Sequence, residues 1–350
     1  MTNEQLPQIV DVDIKAPPVM LDDQQLARKI ESAAVQMACG AGEILSGYFG
    51  RQLSIEYKDK QQRDPVTSAD KATQEYLEAE IKRQFPEHGV LGEETFGEAE
   101  SEDPAPDFLW VLDPLDGTTN FLNGLPVYAS SIGVLYRGRP LVGALYIPWP
   151  GPNGGFVLHC RRGGGCFAGE EPAAVYESDQ PTGNRLIGLP GSFSQFTRFS
   201  SKLKGNLGEM RTTGSIAYEL AMTACGVMQY SIFGAPRMWD MLGGAIAVQE
   251  AGGTVMTRFR GEKRWHPMES LVPTWEEKPP SLKELRQWAA PLVAGNQTVA
   301  PLIAYNMRSR FRLGARIRRM SRRLRPPARK KTRPEKPSGQ ESTTPAKTDG

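Results

Sequence analysis

The sequence predicts a layered α/β fold. Three observations carry that expectation: two stretches with helical apolar spacing near the N-terminus, short apolar runs bounded by Gly and Pro after them, and a second half in which such runs alternate with helical segments. From Asp22 a helix is expected with Leu26, Ile30, Ala33, Met37, Ile44 and Leu45 on one face, ended by Gly50. A second starts near Ser68 as N-cap and carries Tyr76, Leu77, Ile81 and Phe85 up to Pro86. The runs VLGEE, FLWVLDPLDG, SSIGVLY and PLVGALYIP read as strands, the last two as a hairpin turned by Arg137-Gly138-Arg139. Beyond them the pattern gives a strand over 185–189, a helix near 194–204, a strand before Thr212, a helix over 217–230, a helix and strand in WDMLGGAIAVQEAGGTVM, and a last strand in PLVAGN. Residues 257–288, polar and Pro-rich, read as a surface excursion.

Composition bounds the function classes. With 350 residues, 39% hydrophobic and 23% charged, the chain can bury a large core, and its 36 Gly and 28 Pro exclude a coiled coil. No stretch is apolar enough to span a bilayer, and the N-terminus lacks the build of a signal peptide, so a cytoplasmic protein is expected. The net charge of +2 conceals a division: residues 301–350 hold 15 Lys and Arg against 3 Asp and Glu, leaving the rest of the chain at −10. Three domains follow as an expectation: a loose arm over 1–19, a catalytic body over 20–304, and a basic, largely disordered tail over 305–350. Three histidines and four cysteines without metal-ligand spacing exclude a zinc site of the His/Cys type, so a metal would need carboxylates.

The densest chemistry lies in WVLDPLDGTTNF. An apolar strand ends in Asp113, Pro114 turns the chain, and Asp116 follows three residues on, so both carboxylates can face one point outside the strand end. Gly117, Thr118 and Thr119 offer backbone N–H groups suited to an anion at a helix start. Hard cations such as Mg²⁺ take carboxylate, water and phosphate oxygens, so the segment pairs a metal half with a phosphate half. By itself it also fits a surface Asx turn and N-cap. Further acids stand at element ends: Glu93 and Glu94 after Val90-Leu91, Asp64 and Asp70 around the start of the second helix, and Asp240 at the start of an apolar helix.

The motifs DPVTSAD, GEE, WVLDPLDGTTNF and WD-x11-GG, in this order, resemble the inositol monophosphatase family of Mg²⁺-dependent, typically lithium-sensitive phosphatases, over roughly residues 22 to 300. The resemblance implies a five-layer αβαβα sandwich, a homodimer and hydrolysis of a small phosphate monoester with two or three Mg²⁺ ions. It assigns Glu93, Asp113 and the carbonyl of Leu115 to one ion, and Asp113, Asp116 and Asp240 to a second. Gly117 and Thr118 would bind phosphate, and Asp64 would hydrogen-bond Thr118, making Glu93, Thr118 and Asp64 the catalytic group. Gly214, Ser215 and Ala217 line the substrate pocket or pack a helix entry. Phe233 stands where inositol phosphatases carry an acid that accepts substrate hydroxyls, which opens the substrate to inositol monophosphate, another sugar or polyol phosphate, a 3′-phosphonucleotide or fructose 1,6-bisphosphate. The non-enzymatic alternative is a scaffold whose tail works alone. From Phe311 to Leu324 the tail has a basic amphipathic pattern suited to an anionic membrane surface, to RNA, or to docking on the acidic body.

Overall fold

The computed structural model describes residues 21–57, 65–94, 102–151, 154–201, 203, 205, 207–259 and 261–309. The arm, Asp64 and the amphipathic stretch 311–324 lie outside the described residues. The chain divides into two units, Met1–Ser309 and Arg310–Gly350, and the fold and site described below belong to the first.

Helices α1 (Leu21–Tyr48) and α2 (Ser68–Gln84) precede and follow an antiparallel pair of short strands, β1 (Ile55–Tyr57) and β2 (Pro65–Thr67). Thr67, one residue before the expected Ser68, caps α2: its hydroxyl accepts from the N–H of Ala69 and Asp70, and the Asp70 carboxylate accepts in return from the Thr67 N–H. A seven-stranded sheet follows in chain order: β3 (Gly89–Gly92), β4 (Phe108–Asp116), β5 (Ala129–Tyr136), β6 (Arg139–Pro148), β7 (Gly155–Arg161), β8 (Gly165–Ala168) and β9 (Glu171–Pro172). Only β3 and β4 run parallel; a single turn of helix, α3 (Thr118–Leu122), leaves the end of β4. The expected hairpin is β5–β6, with Arg137 and Gly138 both at positive φ in its turn.

The second half builds a six-stranded sheet. Its members are β10 (Leu186–Gly188), β12 (Glu209–Arg211), β13 (Met228–Phe233), β14 (Gly253–Thr257), β15 (His266–Pro267) and β16 (Leu292–Asn296), in the order β12-β10-β13-β16-β14-β15. Around it lie α4 (Phe193–Phe196), β11 (Thr197–Phe199), α5 (Ile216–Ala224), α6 (Met238–Glu250), α7 (Leu282–Arg286), α8 (Val299–Asn306) and β17 (Met307–Ser309). α8 and the pairing of β17 with β11 carry described structure past residue 304.

Alternation along the strands creates the layers. Trp110, Leu112, Ile132 and Val134 pack on Ile30, Met37, Leu77 and Ile81 of α1 and α2. Their neighbours Leu109, Val111, Leu135 and Leu145 face Leu220 and Leu242 of α5 and α6, which meet Val255, Leu292 and Ala294 of the second sheet on their other side. Tyr230, Ile232 and Val293 then cover Val299 and Ile303 of α8. The layers are therefore α, β, α, β, α. α6 lies very close to the first sheet because glycines face each other: a Cβ on Gly143 would meet the Gly243 carbonyl at 2.5 Å.

Three expectations change. The helix expected over 217–230 ends at Ala224, because Gly226 adopts φ +69°, and β13 follows. The helix expected over 194–204 is one turn followed by β11, which takes its partner strand from Met307–Ser309. The excursion over 257–288 is not a surface loop: Trp265, Met268, Leu271, Trp275 and Leu285 are all buried. Among the described residues no helix is long and apolar enough to cross a membrane, and the four cysteines are free.

Candidate active site

β3 and β4 are in register from Gly89 opposite Leu109 to Gly92 opposite Leu112, where β3 ends while β4 runs on to Asp116. The Glu93 N–H donates to the Leu112 carbonyl at 3.0 Å, which sets Glu93 beside Asp113. Asp113 pairs with Ser131 and Asp116 with Ala129, and the ladder is irregular between them, which displaces Pro114 and Leu115 from regular pairing. The Leu115 N–H donates back to Asp113 Oδ1 at 3.1 Å. Gly117 then takes φ +92°, where a side chain is strained and where a Cβ would meet Ser215 at 3.1 Å.

The second half supplies the facing wall through helix starts. Asp116 Oδ2 accepts from Ser215 Oγ at 2.7 Å and from the Ala217 N–H at 2.5 Å. Ser215 is also the N-cap of α5. The Asn120 amide bridges the carbonyls of Val127 and Thr213, both at 2.7 Å, and so anchors α3 to the segment before Gly214. Asp240 lies in the first turn of α6 and accepts from the Arg237 N–H at 2.8 Å.

The electrostatics tie these acids together. Asp113 is 1% exposed, and burial first, then the charges of Glu93, Asp116, Asp240 and Asp70, hold its carboxyl well above the usual carboxylate range. Burial and the Asp240 charge likewise raise Asp116, against the hydrogen bonds from Ser215 and Ala217. Asp70 is pushed up to about 6, mainly by burial, with the Glu93 charge adding to it and hydrogen bonds from Thr67 opposing it. The Thr118 hydroxyl has two acceptors within reach, the Leu115 carbonyl at 3.0 Å and Asp70 Oδ1 at 3.2 Å. Among the described residues no three His, Cys, Asp or Glu side chains are grouped so as to hold a metal ion by themselves. The donors are nonetheless all hard oxygens, and Mg²⁺ needs only one or two carboxylates when water and phosphate complete its shell.

The inositol monophosphatase family model matches residues 26–290. The chain belongs to that family. Inositol monophosphatase 3 of Solanum lycopersicum is 32% identical over 231 residues, 63% of this chain and 83% of the relative. The fructose-1,6-bisphosphatase/inositol-1-monophosphatase of Aquifex aeolicus is 28% identical over 235 residues, 66% of this chain and 86% of the relative. The crystal structure of the extragenic suppressor protein suhB from Bartonella henselae superposes with a TM-score of 0.60 at 24% identity, over 79% of this chain and 98% of that one. The layered fold is the family's, and the chain is an enzyme of the phosphoric monoester hydrolase class, a phosphatase.

Within that family frame, Phe233 is 4% exposed and packs with the core between the two sheets, where it pairs with Leu292 at the end of β13. Ala217 and Ser215 are buried, whereas Gly214 is exposed at φ +82°. The sequence reading treated Asp70 only as a helix cap; its second role beside Thr118 needs the fold to bring the residues together. It also missed Asn120 and Arg286, whose partners are backbone carbonyls remote in sequence and so leave no local pattern.

Proposed function

We propose that the chain hydrolyses a small sugar or polyol phosphate monoester with Mg²⁺ as cofactor, and that Glu93, Asp113, the Leu115 carbonyl, Asp116 and Asp240 hold the metal. The observation that carries this reading is the gathering of acids about buried Asp113, whose charges are costly together unless cations offset them. When bound, Mg²⁺ supplies charge neutralisation at the phosphoryl oxygens and activation of water.

The chain's own groups account for the rest of the work. A phosphoryl group seated at Gly117 and Thr118 meets backbone N–H groups bared by a residue without a side chain. Thr118 is placed to orient the attacking water, because its hydroxyl lies between the Leu115 carbonyl and an acid. By the resemblance Asp64 would accept from that hydroxyl, whereas Asp70 Oδ1 stands 3.2 Å from it. Of the Gly214–Ala217 segment, exposed Gly214 faces the alcohol, while buried Ser215 and the Ala217 N–H keep Asp116 oriented. With Phe233 in the core, no acid at that position accepts inositol hydroxyls, which favours a broader polyol or sugar phosphate over strict inositol selectivity.

The deciding experiment is phosphate release from inositol monophosphate, sugar monophosphates, fructose 1,6-bisphosphate and a 3′-phosphonucleotide, with Mg²⁺ and with chelator. Release from monoesters that stops in chelator is expected; release unaffected by chelator overturns the metal reading, and a sole preference for the nucleotide overturns the substrate class. We place the enzyme in the cytoplasm as a homodimer, with the basic tail a separable segment for anionic membrane surfaces. Truncation after Ser309, which spares the β11–β17 pair, is expected to keep turnover and abolish salt-sensitive sedimentation with anionic vesicles. Retained sedimentation would refute the tail's role.

A further inference from the structure

The buried excursion does more than close the core. Its last stretch, from Pro280 into Ala289, is tied at one end to the segment just before β4 and at the other to the residue just before α6. At one end, the Ala105 N–H donates to the Pro280 carbonyl at 2.8 Å, Pro104 bridges to Ser281, and Lys283 pairs with Glu102. At the other, Ala289 bridges to Arg237, the residue whose N–H holds Asp240. Between these ties lies α7, fixed by its own capping box of Ser281 and Glu284.

From the last residue of α7, Arg286 reaches the site's two halves at once. Its Nη1 donates to the Gly92 carbonyl at 2.7 Å and its Nη2 to the Glu93 carbonyl at 2.9 Å. The guanidinium carbon also stands 5.2 Å from the centre of the Trp239 ring, the residue immediately before Asp240. We propose that Arg286 is a positioning residue that fixes the backbone of Glu93 against the Trp239–Asp240 helix start, and so sets the separation of an acid at a strand end from an acid at a helix start. The planar fork suits this task because two parallel N–H groups engage two successive carbonyls while the flat face rests on an indole. A lysine supplies the charge and one donor direction, but neither the fork nor the stacking plane.

This inference rests on the metal-dependent phosphatase reading, and the test separates the two. Mg²⁺ binding to the full chain is measured by isothermal titration calorimetry without substrate, alongside the Mg²⁺ activation constant and kcat for a sugar monophosphate, in wild type, Arg286→Ala, Arg286→Lys and Ser281→Ala. Arg286→Ala and Arg286→Lys are expected to weaken Mg²⁺ binding and raise the activation constant about tenfold or more, with kcat at saturating Mg²⁺ within about threefold of wild type. Ser281→Ala loosens the cap of α7 without touching the fork, and is expected to lower the melting temperature while leaving Mg²⁺ affinity near wild type. Unchanged Mg²⁺ affinity in both Arg286 variants overturns the positioning role. A loss in Ser281→Ala equal to that in Arg286→Ala also overturns it, because general loosening of the segment then suffices. Wild-type chain that takes up no Mg²⁺ overturns the metal reading and this inference with it.

Discussion

Glu93, Asp113 and Asp116 stand at the ends of two adjacent strands of the seven-stranded sheet, whereas Asp240 and the Gly214–Ala217 segment arrive at helix starts in the second half of the chain. The first group is placed by ladder pairing and by hydrogen bonds spanning a few residues, such as Leu115 N–H to Asp113. In the second, Asp240 is capped locally by the Arg237 N–H, but the Gly214–Ala217 segment is placed by contacts across the chain, such as Ser215 and Ala217 to Asp116. One half of the site is a rigid platform, and the other is docked onto it. The difference predicts that substitutions on the platform act on chemistry, while substitutions in the docked half, Asp240 apart, act first on stability.

The largest expected effect is on the platform. Asp113→Asn keeps the shape but removes the charge at the centre of the cluster, so phosphate release should fall by more than the roughly 100-fold typical of groups that only support a metal ligand. Because burial and neighbouring acids already raise Asp113, the same change should leave the melting temperature in chelator at or above that of wild type, while the stabilisation that Mg²⁺ gives is lost. Differential scanning fluorimetry with and without Mg²⁺ checks both signs. A variant that melts lower than wild type in chelator would mean that the acids are not in mutual conflict.

The docked half answers differently. Phe233→Glu puts a carboxylate among apolar groups between the sheets, at a cost of about 3 kcal/mol or more in unfolding free energy. Denaturant unfolding measures it, and the ranking of substrates should not change. A variant of native stability with raised activity on inositol monophosphate would place this side chain in the pocket and erase the contrast between the halves.

The same division explains what the sequence made legible. The β5–β6 hairpin, the strand into Asp113 and the bare Gly117 each have their determinants within a few residues, and the pattern revealed them. The end of α5 was also written locally, in Gly226, but helical spacing through Tyr230 masked it. By contrast, β11 exists because Met307–Ser309 pairs with it, and no propensity in SFSQFTRFSS announces so remote a partner. In the excursion, Trp265, Met268, Leu271 and Trp275 follow at three, three and four residues, close to a helical spacing, but Pro267 and Pro273 between them bar a helix, so no regular element announced their burial before the surrounding core was known. The acids were legible as chemistry, and the motifs grouped Glu93, Asp113, Asp116 and Asp240 by resemblance; that Asp70 joins Thr118 was not legible.

A smaller effect sharpens the platform itself. Asp64→Asn and Asp70→Asn compete for one role, the acceptor for Thr118. If Asp64 holds it, its variant should lose about tenfold to 100-fold in kcat with little change in melting temperature. Asp70→Asn disturbs the α2 cap as well and should cost about 1 kcal/mol of stability. A kcat loss confined to Asp70→Asn would transfer the role to Asp70.

The smallest effect lies on the platform but away from the acids, and it tests whether the sheet's frame and its chemistry separate. His159 on β7 meets Glu31 of α1 through Nδ1 at 2.9 Å and the Gly169 carbonyl through Nε2 at 3.1 Å, and Arg161 pairs with the other Glu31 oxygen at 3.0 Å. The hydrogen bond to Glu31 is the main cause raising His159 above its usual value near 6.5, with burial opposing it. Since the folded chain holds this proton more tightly than the unfolded one, the clasp contributes its full stability below about pH 6.5 and loses it as the pH rises through the raised value. His159→Gln should therefore melt below wild type in acid, and the gap should close toward alkaline pH. Solvent at the partly exposed ring limits the gap to about 1 kcal/mol or less. Melting curves over about pH 6 to 8.5 read it directly. The pH dependence of kcat should be the same in both proteins, because the clasp fastens α1 to the sheet and touches none of the acids at its strand ends.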